Sequence, residues 1–162
     1  MTVTTLLAAL AGCGSVRLQE EGYVVAQKGY RVGAMAGWTR IDSEADVALR
    51  RAQPAAGLMA HASCEGKPPS RPLPVLARHL RFGLRNVQDL VETPAALDGL
   101  SGTAQEFRAT LDGVPVAVRV LTLRGPGCVY DLVGVAPPDE LAALAPDFER
   151  FTQSFALTGG TR

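Results

Sequence analysis

Chemistry in this 162-residue chain would have to come from a short inventory that includes three cysteines and two histidines. His61 and His79 stand apart, and neither has a spaced set of Cys, His or carboxylate residues beside it. Metal ligation therefore has little support, with free thiols as zinc ligands a distant alternative, and no metal or cofactor is expected. Hydrolysis is no better served. Ser63 and Ser154 have no His/Asp grouping visible in the sequence, and neither a Gly-x-Ser-x-Gly elbow nor a His-Glu-x-x-His helix is present. Asp131 interrupts an apolar run near its start. A lone carboxylate without a second acid, a base or a nucleophile makes no catalytic site, so it is expected to be hydrogen-bonded or wet, with no role. The chain reads as a non-enzyme.

The cysteines are more informative. Thr5 to Gly12 is an uncharged apolar run that ends in small residues directly before Cys13. It is too short to span a bilayer and matches the apolar region and cleavage site of an export signal. The tetrapeptide Leu10-Ala11-Gly12-Cys13 resembles the lipobox of bacterial lipoproteins. That resemblance implies acylation of Cys13, cleavage before it, and a mature N-terminus at that residue. Residues 1–12 are then a signal peptide, and 13–28 a lipidated N-terminus and flexible tether. No Lys or Arg precedes the apolar run, a departure from the signal-peptide pattern, and the true start codon is expected a few codons upstream. Gly14, where a retention signal would have Asp, implies sorting to the outer membrane. The expected location is lipid-anchored there and facing the periplasm, with the inner membrane or cell surface as alternatives. Acylation of Cys13 leaves Cys64 and Cys128, either bonded in the oxidising periplasm or two small buried thiols.

The remaining composition is that of one ordinary domain. Lys plus Arg equals Asp plus Glu at 16 each, so no basic field points to nucleic acid. No second apolar run is long enough to cross a membrane.

The elements that must position these residues follow from periodicity. A domain is expected over 29–158, with 159–162 as a tail. Short strands are expected at 29–32 and 38–41, with Trp38 as a core anchor. Residues 46–64 read as a hairpin whose return strand places Leu58, Ala60, Ala62 and Cys64 on one face and His61 on the other, half-exposed. Over 72–85 the spacing of Leu73, Leu76, Leu80 and Leu84 predicts a helix with one apolar stripe. Arg78, Arg81 and Arg85 lie off that stripe. They form either a contact for anionic lipid headgroups or an acidic partner, or a plain solvated face, and the solvated face is favoured.

Residues 87–102 read as extended and partly irregular, with a turn at Leu97-Asp98-Gly99-Leu100. Asp112-Gly113 is a two-residue hairpin signal. Its register puts Leu111, Ala109 and Phe107 opposite Val114, Val116 and Val118 on one buried face, and Glu106 opposite Arg119 on the other. After a turn at 124–127, residues 128–136 are apolar on both faces, which predicts a central strand covered on both sides. Pro137-Pro138 ends it. A helix follows, expected to restart at Ala145-Pro146-Asp147, with Phe148, Phe151 and Phe155 as its core stripe.

This order of elements, closing in the Phe148, Phe151, Phe155 spacing, resembles the PsbP-like fold over about residues 29–157. The resemblance implies an α+β domain, an antiparallel sheet flanked by helices in an α/β/α sandwich, and a binding or assembly module without shared catalytic residues. Two functions are consistent with it. One is a lipid-anchored, periplasm-facing interaction module with a protein partner in the envelope and none among nucleic acids. The alternative is a carrier or sensor of a small apolar ligand held between sheet and helix, suggested by the apolar excess on both faces of 128–136.

Overall fold

The structure, a computed structural model, describes residues 17–19 and 22–159. Its strands are β1 (Arg17–Gln19), β2 (Gly22–Val25), β3 (Tyr30–Gly33), β4 (Thr39–Arg40), β5 (Val47–Arg51), β6 (Ala56–Cys64), β7 (Arg85–Leu97), β8 (Leu100–Leu111), β9 (Val114–Arg124), β10 (Cys128–Ala136) and β11 (Ala156–Leu157). Helix α1 is Leu73–Ala77 and helix α2 is Leu141–Gln153. All strand pairs are antiparallel and form two sheets. The larger runs β4-β5-β6-β10-β9-β8-β7 and the smaller β1-β2-β3-β11. The fold class is α+β, as the resemblance implies.

The middle of the large sheet is the part that sequence describes best. Asp112 and Gly113 both have positive φ, 49° and 83°, which is the mirror-image turn that matches the twist of its strands. Leu111, Ala109 and Phe107 pair with Val114, Val116 and Val118, and Glu106 pairs with Arg119 at 2.7 Å. One expectation fails at the tip. Leu111 and Val114 are 42% and 60% exposed, because β10 ends at Ala136 opposite Ala117 and nothing extends the core that far. Pro115 lies in the same overhang, where β9 has β8 on one side only, so its missing N–H disrupts no central ladder.

Strand β10 lies between β6 and β9 and is buried on both faces. On one face Tyr130, Leu132 and Ala136 join Leu58, Ala60, Leu121 and Leu123 under α2 and the small sheet. On the other, Val133 joins Phe107, Val118 and Val120, with Leu80 and Leu84 packed over them. Helix α2 supplies Leu144, Phe151 and the partly buried Phe148, and Phe155 beyond its end stacks edge-on with Tyr130 at 5.2 Å. The helix continues through Pro146 instead of restarting there. Proline removes one N–H from the ladder, and the apolar face on either side of it keeps the helix on the sheet.

Three further expectations are corrected. Residues 22–25 are not part of a flexible tether. Strand β2 pairs with β3 and buries Tyr23 and Val25, so the described fold starts before Gly29. The helix over 72–85 is short. Pro72 and Pro74 crowd its first turn, α1 ends at Ala77, and a 3-10 turn over Arg78–Arg81 follows. Gly83, at φ 85°, then reverses the chain into β7. Finally, residues 85–97 are one long edge strand rather than an interrupted segment, although register shifts at its start preserve the expected irregularity. Pro94 is tolerated there because β7 has a neighbour on one side only.

Gly134 sets how closely α2 can approach. A Cβ on it would stand 2.8 Å from Phe148 and 3.1 Å from Leu144. Gly134→Val is expected to lower stability by about 2 kcal/mol through overpacking, read as a shifted urea midpoint. An unchanged midpoint would show that α2 can ride over the added methyls.

Candidate functional site

Three groups of buried or half-buried polar side chains hold the elements together, and none of them is legible as a motif. The first surrounds Asp46, just before β5. Lys28 Nζ lies 2.6 Å from its Oδ1, and Oδ2 accepts hydrogen bonds from Tyr30 OH and the Ala62 amide at 2.8 Å each. Lys28 also donates to the Ala62 carbonyl at 2.6 Å, and His61 Nδ1 stands 3.8 Å from Oδ2. Burial, then the Asp46 charge, pushes the Tyr30 phenol above its ordinary range. A carboxylate holding this many donors ties elements together. It joins the turn after β2 and strand β3 to β6, and Lys28, assigned by sequence to the tether, is one of its members.

The second group surrounds Asp147 in α2. Arg51 and Arg150 pair with its carboxylate, Trp38 Nε1 donates to it at 3.3 Å, and the Arg51 guanidinium stacks 4.9 Å from the Trp38 ring. Trp38 does act as an anchor, though half-buried, and what it anchors to is the helix. Ser154, at the end of α2, accepts from the Gly33 amide at 2.8 Å and donates to the Phe151 carbonyl at 2.6 Å. Its hydroxyl is thereby engaged in structure.

The third group is the one with chemical content. Asp131 is not near a wet strand end but 1% exposed in β10. Thr122 Oγ1 donates to its Oδ1 at 2.8 Å, and His79 Nε2 stands 3.0 Å from Oδ2. At that distance the ring nitrogen can donate to the carboxylate, and the contact becomes an ion pair when the imidazole is protonated. His79 Nδ1 meanwhile donates to the Leu76 carbonyl, the acceptor that a continuing α-helix would give to the Leu80 amide. That diversion accompanies the change to a 3-10 turn.

The Asp131 carboxylate raises the pKa of His79 above the ordinary histidine value, while partial burial acts the other way and is outweighed. Ser63 and His79 border one cleft, an arrangement that superficially suggests a Ser/His/Asp site. Both ring nitrogens are committed, however, so the imidazole has none free to take a proton from a hydroxyl. The pair clamps the 3-10 turn onto β10.

Of the residues singled out in the sequence, Cys64 and Cys128 are brought together. They are opposed in the β6–β10 ladder and joined in a disulfide, with Cα atoms 4.1 Å apart. Arg78, Arg81 and Arg85 do not share a helical face, since the first two lie in the 3-10 turn and Arg85 opens β7. Cys13 lies outside the described residues. Among the described residues no three His, Cys, Asp or Glu side chains are grouped to hold a metal ion, and no helix is long and apolar enough to cross a membrane. The apolar faces of β10 that suggested a ligand between sheet and helix are covered by the chain's own side chains.

The His79–Asp131 pair makes stability depend on pH. With the folded pKa above the unfolded one, its contribution is fully present below about pH 6.5 and is lost as pH rises through the raised value. His79→Gln is expected to be less stable than the parent at pH 5.5 by about 1 kcal/mol, kept small because the ring is half-exposed. The difference should shrink by pH 9 in urea titrations. A pH-independent difference would show that the charge is not its source.

No family model matches the sequence, and no curated protein matches it significantly. Solved structures do match it in shape. The solution structure of cyanobacterial PsbP (CyanoP) from Synechocystis sp. PCC 6803 has a TM-score of 0.62 at 17% identity, covering 93% of this chain and 97% of that one. The crystal structure of LpqN from Mycobacterium tuberculosis, described as involved in cell envelope biogenesis, has a TM-score of 0.61 at 15% identity, covering 80% and 83%. At such identities the likeness is one of fold, and the chain has the PsbP-like fold.

Proposed function

We propose that this chain is a lipid-anchored, periplasm-facing domain that docks on a protein partner in a bacterial envelope and carries out no chemistry of its own. The observation that carries the docking role is a group of large apolar side chains left in solvent at one end of the large sheet. Phe82 is 95% exposed, and Val114 and Leu111 are exposed at the nearby hairpin tip. The β7–β8 register, Arg85 opposite Thr110, brings the segment after Phe82 alongside that tip. Soluble proteins seldom leave an aromatic ring bare beside other bare apolar groups unless something covers it.

Three further points support the setting. The Leu10-Ala11-Gly12-Cys13 tetrapeptide supports acylation at Cys13, and Gly14 supports passage to the outer membrane. The disulfide fits an oxidising compartment. LpqN, of similar fold, is described as involved in cell envelope biogenesis, and that setting, without any specific role, is what we extend to this chain. The committed ring nitrogens of His79 support the non-catalytic reading.

A photo-crosslinking residue placed at Phe82 or Val114 in the native host is expected to give one discrete adduct, absent when it is placed at the exposed Gln153 of α2. Phe82→Ser should abolish the Val114 adduct while changing stability by no more than about 0.5 kcal/mol, as for other surface substitutions. Adducts that are absent, or equal at all three positions, would refute docking at this end.

A further inference from the structure

We propose that the cleft between the 65–71 loop and the joined ends of β6 and β10 binds a small amphipathic anion, an acidic head group on a short apolar body. The cleft encloses about 390 Å³, toward the small end of the range for ligand sites. It lies on the α1 side of the large sheet, away from the helix–sheet interior.

Its walls are fixed. The Cys64–Cys128 disulfide joins the two strands at the cleft, the Glu65 amide donates to the Gly127 carbonyl at 3.2 Å, and Arg124 Nη2 donates to the Arg71 carbonyl. The far wall is the α1 turn, clamped through His79 to Asp131. A cleft held from three directions is ready to accept a ligand without first being ordered, which favours affinity.

Its chemistry is asymmetric. Lys67 and Arg71 line it, and among the described residues neither has a carboxylate within ion-pair distance. Arg124 braces the loop through its hydrogen bond to the Arg71 carbonyl and is not among the side chains that line the cleft. His79 faces the Asp131 carboxylate, so the cations available to a ligand are Lys67 and Arg71, with Glu65 the one acid among the lining residues. The imbalance extends along the chain. Residues 66–88 contain five Lys or Arg and no Asp or Glu, within a chain whose formal net charge is zero. Ser63 and Ser70 add hydroxyl donors for an acidic head, while Leu76, Val129 and the Pro68-Pro69 pair give the apolar body a surface. Arginine and lysine suit phosphate or carboxylate equally here, so the head group is assigned by charge alone.

The test is a titration of the intact domain followed by amide shifts at Ser63, Gly127 and Val129, with probes kept below micelle-forming concentrations. Octyl phosphate and octanoate carry both features, inorganic phosphate only the head, and octanol only the body. At least one of the two amphipathic probes is expected to bind about tenfold more tightly than either fragment. Lys67→Ala with Arg71→Ala should weaken that binding about tenfold, the loss of a charge-assisted contact. Arg78→Ala with Arg85→Ala, outside the cleft, should leave it within about twofold. The proposal is overturned if octanol binds as well as both amphipathic probes, if the two double variants lose affinity equally, or if no probe shifts these amides. The crosslinking result at Phe82 concerns a residue outside the cleft and is read separately.

Discussion

A strand that is apolar on both sides cannot border water, and β10 is such a strand. Its position between β6 and β9 obliges the chain to supply cover twice. One cover is α2, whose Leu144, Phe148 and Phe151 settle where Gly134 leaves room. The other is the segment from Pro72 to Leu84, too proline-crowded and too short to be a full helix. It is held by Leu80 and Leu84 packing on the valine face and by the contact from His79 to Asp131. The buried carboxylate in an otherwise apolar strand thus has a positional purpose, because it determines where the weaker cover attaches.

The small sheet and N-terminal segment are attached differently. They contribute Tyr23, Val25, Tyr30 and Val32 to the main core, but what orients them is polar. Asp46 gathers Lys28, Tyr30 and a β6 amide, and Asp147 gathers Arg51, Arg150 and Trp38. Buried ionic groups add specificity of position more reliably than net stability. Here they register two loops and a helix against sheets whose apolar faces alone would tolerate sliding.

What could be read from the residues was the local and the periodic. Asp112-Gly113 defined a turn, the turn defined a register, and the register correctly paired Glu106 with Arg119 and opposed Phe107 to Val118. The alternation in 58–62 and the double-faced run at 128–136 were legible for the same reason. The fold's limits were not. Leu111 and Val114 look buried from pattern alone, because alternation cannot report where a neighbouring strand stops. Residues 22–25 carry too few positions to show a period, and 72–85 shows a helical stripe that its two prolines and Gly83 cut short. The His79–Asp131 contact spans 52 positions with no motif between its ends. The one available signal was a histidine three residues after a leucine stripe member and a lone acid in an apolar strand, each unexplained by itself. Cys64 and Cys128 were recognised as a pair only because Cys13 had another use.

That last dependence reaches back to the N-terminus. The disulfide that braces the cleft belongs in an oxidising compartment, and the proposed role at an envelope surface assumes that the chain is exported and held there. The most direct measurement is the intact mass of the protein extracted from the membranes of its own host. The account predicts a polypeptide beginning at Cys13, heavier by a diacylglyceryl group on the thiol, with Cys64 and Cys128 bonded. A chain that retains residues before Cys13 and carries no lipid would contradict it.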